Sequence, residues 1–359
     1  MSGEALNLGA DVGTLTAALV DVESVSGNEA KIADLVETAL RGYPSLTVQR
    51  HGNVVLARTE LGRDQRIVLA GHLDTVPVAD NYPSRRDGDR LFGVGTTDMK
   101  SGVAVQLRLA HLVCSDRLQP TMDVTWVYYD CEEVEAVRNG LRRVAAERPE
   151  MVHADLAILL EPTGGVVEGG CQGTVRVVVT APGKRAHSAR SWLGDNAIHR
   201  LGPVLDLLNR YQARTVQVDG LVYREGLTAV GIQGGIGGNI VPDEASVTVN
   251  YRFAPDRSEA DAAQHLHELF AGFAVEVVDS APAARPGLDS PLAQAFVVAV
   301  GGQPRAKYGW TDVAQFSQLG IPAINFGPGN PNVAHARNEY VDLTMVQAAE
   351  DAMARFLAQ

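Results

Sequence analysis

The chain has 359 residues, 45% of them hydrophobic, with 31 Lys+Arg against 43 Asp+Glu and a net charge of -12. That length predicts about two domains with ample core. The acidic balance excludes the basic field needed to bind nucleic acid or an anionic membrane surface, so the expected partner is a small molecule or peptide. The opening residues carry acids instead of a basic leader, and no stretch approaches the ~18 uninterrupted apolar residues of a membrane span. Cys114, Cys131 and Cys171 are few, widely separated and without zinc-finger spacing, which fits a reducing compartment; the expectation is a cytoplasmic protein.

Helical patterns are expected over residues 12–22 and 29–41, the second after a Ser26-Gly27-Asn28 capping turn. Three continuous apolar runs, RIVLAG (66–71), MDVTWVYY (122–129) and ADLAILL (154–160), predict buried strands alternating with helices over 102–113 and 136–146. This is the pattern of an α/β fold, a mainly parallel sheet with helices on both faces. From about Thr174 the order becomes strand (TVRVVVTA), helix (196–211), strands (227–233 and 245–253), helix (259–270) and strand (274–278). That is the ferredoxin-like split βαβ order of an α+β domain. Residues 175–283 are therefore expected to form an inserted second domain, with 1–174 and 284–359 forming the discontinuous first. The return segment predicts helices over 290–300, 312–319 and 344–357 and a strand over 323–326.

Acids and histidines gather where the first domain's strands end, the edge at which open α/β sheets bind ligands. His72-Leu73-Asp74 follows the first run, and residues two apart in an extended stretch point to one side, so Asp74 can reach the imidazole; this suits either a metal-bound histidine with its orienting acid or a simple strand-end hydrogen bond. Asp98, in GVGTTDMKSG, suits a ligand or a helix N-cap. Glu132 and Glu133 would repel unless something cationic compensates, and their diverging side chains would let one bind a metal and the other hold a water as general base; the alternative, with Asp130 and Glu135 beside them, is a solvated acidic turn starting the next helix. Glu161 closes ILLEP, and His335 lies in the polar loop NPNVAHARNEY. Together His72, Asp98, Glu133, Glu161 and His335 make a site for two zinc-like ions sharing one carboxylate, since imidazole and carboxylate suit zinc and two such ions clamp a hydroxide and polarise a carbonyl.

The strings GHLDTVP, GVGTTDMKSG, CEEVEA, LLEPT and NPNVAHARNEY, in that order around an inserted split βαβ domain, resemble the aminoacylase and carboxypeptidase family of dinuclear zinc amidohydrolases. Within it, WVYYDCEEVEAVRNGL, RAHSARSWLGDNAIH and AKYGWTD are most similar to the desuccinylases, while acetylornithine deacetylases and dipeptidases share the ligands. The resemblance implies two Zn2+ per subunit, with Co2+ or Mn2+ as candidate substitutes. His72, Asp98 and Glu161 would hold one ion and Asp98, Glu133 and His335 the other. It further implies Glu132 as general acid/base, Asp74 as the acid orienting His72, and a cis Asp98-Met99 peptide. The inserted domain becomes a lid and the seat of a homodimer, in which His187 reaches the partner's site to stabilise the oxyanion.

Asn239, in GGNIVP, Arg252, suited to bidentate carboxylate binding, and Thr311, in YGWTD, fall on substrate-binding positions. Two departures stand out. Cys131 replaces an acid or small residue before the glutamate pair, and Gly170-Cys171-Gln172-Gly173 replaces arginines that many desuccinylases carry. An anionic substrate would then use Arg176, Arg190 or Lys307, Arg190 standing where relatives often place a tyrosine.

Overall fold

A computed structural model describes residues 5–359. The chain opens with α1 (Val12–Val20), α2 (Ala30–Arg41), β1 (Thr47–His51), β2 (Val54–Arg58), β3 (Arg66–His72), β4 (Arg85–Asp87) and β5 (Arg90–Phe92). It continues with α3 (Ser101–Cys114), β6 (Asp123–Tyr129), α4 (Gly140–Glu147), β7 (Leu156–Leu159) and β8 (Glu168–Gly169). Next come β9 (Gly173–Pro182), β10 (Ala186–His187), α5 (Ala197–Arg200), α6 (Gly202–Arg210), β11 (Thr215–Val218), β12 (Leu221–Arg224) and β13 (Gly226–Gly234). They are followed by β14 (Ile240–Val241), β15 (Glu244–Phe253), α7 (Glu259–Leu269) and β16 (Ala274–Ala281). The last elements are α8 (Pro291–Val300), β17 (Arg305–Ala306), α9 (Val313–Gln318), β18 (Ala323–Asn325), β19 (Tyr340–Asp342) and α10 (Leu343–Leu357). Two compact units emerge: one runs through Gly170 and resumes at Pro286–Arg305 and Thr311–Gln359, and the other comprises Cys171–Arg285 with Ala306–Trp310.

The first unit is built on an eight-stranded sheet of order β1-β2-β6-β3-β7-β18-β8-β17. Its centre, β6-β3-β7-β18, is parallel, and β1, β2 and β8 add antiparallel margins. Ile67, Leu69, Val124, Trp126, Leu156 and Ile158 point into a core shared with α1, α2, α3, α8 and α10. Val68, Ala70, Val127, Ala157 and Leu159 are equally buried on the opposite face, where α4 and α9 pack. Covering both faces is why these strands read as unbroken apolar runs. Because the central strands are parallel, His72, Asp130 to Glu133 and Glu161 all emerge at one sheet edge.

Close packing holds that edge. A Cβ on Gly102 would lie 2.2 Å from the carbonyl oxygen of Leu160, and one on Gly327 would lie 2.4 Å from the same atom. Only glycine lets α3 and the loop following Phe326 approach the end of β7 from two sides. The Asp98–Met99 peptide is cis, as the resemblance implied.

The second unit carries a four-stranded antiparallel sheet of order β13-β15-β9-β16, the ferredoxin-like arrangement. Val175, Val177 and Val179 of β9 with Val247, Val249, Tyr251 and Phe253 of β15 pack against Ala197, Leu201, Val204, Leu266 and Phe270.

Three local expectations are corrected. The helix expected over 196–211 is two, α5 ending at Arg200 and α6 restarting with a proline in its first turn. The helix expected from residue 136 starts at Gly140, because the Asn139 side chain accepts the Arg142 N–H at 2.9 Å and sets the N-cap there. Three hairpins, β1-β2, β4-β5 and β11-β12, were not anticipated, although Asp219-Gly220 between alternating residues is a hairpin signal. No helix among the described residues is long and apolar enough to cross a membrane.

Candidate metal centre and active site

His72 is the last residue of β3, with side-chain exposure of only 1%. Its Nδ1 lies 3.0 Å from the backbone oxygen of Asp74, which can only accept, so Nδ1 carries a proton and Nε2 is the nitrogen turned to the site. That Nε2 stands 3.2 Å from Oδ1 of Asp98. On the other side of the same carboxylate, Nε2 of His335 stands 3.4 Å from Oδ2 and 2.8 Å from Oε1 of Glu133. Asp98 thus offers one oxygen to each imidazole. Donor atoms of His72, Asp98 and Glu133 all lie within 4.8 Å of one another. Imidazoles and carboxylates without a thiolate form a donor set that fits zinc-like divalent ions.

The sequence placed Asp74 against His72 by its carboxylate, yet the backbone oxygen makes the closer contact and the carboxylate Oδ1 lies 3.5 Å from Nδ1. The carboxylate does something further: Oδ1 accepts the N–H of Glu132 and Oδ2 the N–H of Glu133, both at 3.0 Å, while Ser26 Oγ donates to Oδ2 at 2.7 Å. One buried acid therefore fixes the backbone of both glutamates. Glu339 plays the same part for Asp98, its Oε1 accepting the N–H groups of Thr97 at 2.8 Å and Asp98 at 3.1 Å. Sequence reading missed Glu339. The one signal was an acid four residues after His335.

The electrostatics follow from crowding. Burial would raise the carboxyl of Asp98, but hydrogen bonds from His335 and His72 outweigh it and hold the group well below the usual carboxylate range. Burial would likewise lower His72, yet Asp74 and Asp98 drive it well up. His335 is pushed up to about 10 by its bonds to Asp98 and Glu133. Glu132 goes the opposite way: burial, then the charges of Glu161, Glu133 and Asp312, raise it well above an ordinary carboxyl, against the pull of His72. Asp312, also unremarked in the sequence, is fully buried, accepts from Asn139 Nδ2 at 2.9 Å and is pushed up to about 6 by burial. Burial pushes Glu339 up to about 7. So many acids around two imidazoles make a pocket of negative charge that a cation would answer.

Glu161 follows β7, buried, and its charge acts on Glu132 and Tyr129. The Thr311 hydroxyl donates to Oδ1 of Asn325 at 2.9 Å. The other candidates belong to the second unit. His187 and Asn239 are exposed neighbours there, His187 pairing with Ile240 and the Ser188 N–H donating to the Asn239 carbonyl at 2.9 Å. His187 Nδ1 accepts the N–H of Ala189 at 3.0 Å, which makes Nε2–H an outward-facing donor. Arg190 is exposed. Arg252 is half-buried, its guanidinium lowered by burial and then by the like charge of Arg176.

Comparison with known proteins agrees with this architecture. The chain is 58% identical over 355 residues to a candidate succinyl-diaminopimelate desuccinylase of Mycobacterium tuberculosis, covering 98% of this chain and 99% of that one. It is 47% identical over 363 residues to the succinyl-diaminopimelate desuccinylase of Corynebacterium glutamicum, covering 99% and 98%. In fold it is similar to a tripeptidase from Staphylococcus aureus, with a TM-score of 0.79 at 19% identity over 99% of each chain. The family model described as peptidase family M20/M25/M40 matches residues 68–359, so with its parallel sheet and inserted ferredoxin-like unit this chain belongs to that family.

Proposed function

We infer that this chain hydrolyses N-succinyl-LL-2,6-diaminopimelate to succinate and LL-2,6-diaminopimelate, a step in making lysine and cell-wall precursor. The observation that carries the reading is near-complete coverage at 58% and 47% identity by relatives named for that reaction. His72, Asp98 and Glu161 would hold one Zn2+ and Asp98, Glu133 and His335 the other, with Co2+ or Mn2+ as substitutes; Asp98, with an imidazole at each oxygen, suits the shared position. When bound, the ions polarise the scissile carbonyl and make a water easier to deprotonate.

Glu132 takes the proton from the attacking water and returns it to the leaving amine, work suited to a carboxyl whose affinity for protons is raised. Asp74 orients His72 and fixes the backbone of Glu132 and Glu133 through their amides. The Nε2–H of His187 donates to the oxyanion, and Arg252, Arg190, Asn239 and Thr311 bind the anionic substrate. Three free cysteines suit a cytoplasmic setting.

The test of substrate is direct. With zinc-loaded protein, kcat/KM for N-succinyl-LL-diaminopimelate is expected to exceed that for N-acetylornithine by at least about 10²-fold, since unpaired buried polar groups reject a wrong ligand by up to about 10⁴- to 10⁵-fold. The reverse order, or preferential cleavage of a dipeptide, overturns the reading.

A homodimer would form through the second unit, where Val230, Ile232 and Ile236 on and beside the edge strand β13 are more than half exposed. If His187 serves the partner's site, mixing a His187→Ala chain with a Glu132→Gln chain restores turnover that neither has alone, because the mixed dimer holds one intact site. No gain on mixing, in dimers shown to exchange, argues against action in trans.

A further inference from the structure

Cys131 adopts a left-handed backbone, φ +58°, which a residue with a Cβ holds only under restraint. The restraint is visible. Three successive amides, those of Cys131, Glu132 and Glu133, each donate to a carboxylate: Cys131 to Oε1 of Glu29 at 3.3 Å, and the other two to Asp74 at 3.0 Å. Glu29 is 1% exposed and stands at the N-cap of α2, yet its side chain makes no capping bond to that helix. Its Oε1 instead accepts the Gly27 N–H at 2.6 Å, the Cys131 N–H and the Cys131 Sγ–H at 3.4 Å.

We propose that Glu29 is a positioning residue for the glutamate pair, acting as a hydrogen-bond acceptor that locks the left-handed turn at Cys131. The inference rests on the roles given above to Glu132 and Glu133. Two fixed points are needed to set a turn. Asp74 holds the side after the turn and Glu29 holds its origin, so that the Glu132 and Glu133 side chains leave in different directions. Cys131 contributes through both its amide and its thiol, which gives this departure from the family pattern a physical use. The donor atoms of Glu29, Asp130 and Cys131 also lie within 4.8 Å of each other. Asp130 Oδ1 is occupied by the Arg143 guanidinium at 2.9 Å, and the thiol is spent as a donor, so this cluster is a clamp and not a third metal site.

The test compares Glu29→Ala and Glu29→Gln in the full-length protein loaded with Co2+. If only an acceptor oxygen is needed, Glu29→Ala lowers kcat by about 10- to 100-fold, the scale for losing a group that orients a metal ligand, with KM nearly unchanged and the Co2+ visible spectrum altered. Glu29→Gln restores kcat to within a few-fold and the spectrum to wild type. Should Glu29→Ala fail to fold, Glu29→Met fills the same space without an acceptor and is read the same way.

An unchanged spectrum and kcat in the acceptor-less variants overturns the proposal, as does a Glu29→Gln variant no better than Glu29→Ala. An extra equivalent of Co2+ with a thiolate charge-transfer band in the wild type also overturns it. The spectrum reports on the Glu133 side, whereas the general-base role fails only if Glu132→Gln retains turnover, so the two failures are distinguishable.

Discussion

Glu132→Gln is expected to lower kcat by about 10²- to 10⁴-fold, the span attributed to a positioned general acid/base, while the protein keeps its full complement of metal. Gln has nearly the same shape and still fits the turn held by Asp74, because the amide of residue 132 that Asp74 accepts is untouched. What disappears is the capacity to take a proton. Glu132 lies among Glu161, Glu133 and Asp312, and burial with those charges raises its affinity for a proton well above that of an ordinary carboxyl. Removing its charge therefore relieves repulsion, and the variant should be at least as stable as the parent. Steady-state turnover with metal analysis on the same preparation settles the matter: near-normal turnover with metal bound removes Glu132 from the mechanism.

Asp98→Asn is expected to be as damaging for a different reason. Both oxygens of Asp98 face an imidazole, Oδ1 that of His72 and Oδ2 that of His335. An amide replaces one oxygen with a donor group and removes the negative charge, so one imidazole meets nitrogen where it met oxygen. Metal content should fall below two equivalents per chain after dialysis. Turnover should fall on the order of 10³-fold, because polarisation of the carbonyl is worth several kcal/mol and each ~1.4 kcal/mol is tenfold in rate. Two ions retained at wild-type affinity would show that Asp98 is not shared between them.

The residues legible in the sequence were those whose own side chains face the site from strand ends. His72, the Glu132-Glu133 pair and Glu161 each interrupt an apolar run, and that interruption is the signal. Glu29 and Glu339 were illegible because they act on backbone amides of other segments, and no spacing rule links Glu339 to Thr97 across 242 positions. Asp312 was hidden for a similar reason, its partner Asn139 lying 173 positions away.

In the fold, the parallel centre of the first sheet and the split βαβ order followed from periodicity and length. The β11-β12 hairpin did not, because its short alternation merges with the strand that follows. The break at Leu201 is a milder case: Gly202-Pro203 carried the signal, but an otherwise regular apolar pattern ran through it.

The contact between Glu339 and the turn bearing Asp98 has a consequence for when this protein becomes competent. Asp98 leaves the ribosome early, but the carboxylate that fixes its backbone lies 241 positions further along, and His335, which faces its second oxygen, lies in the same late stretch. A nascent chain can fold its second unit, whose contacts are largely internal, long before these partners exist. The hydrolytic site then closes only once the segment carrying His335 and Glu339 has been made, so a product interrupted before it carries the acids without the ability to use them.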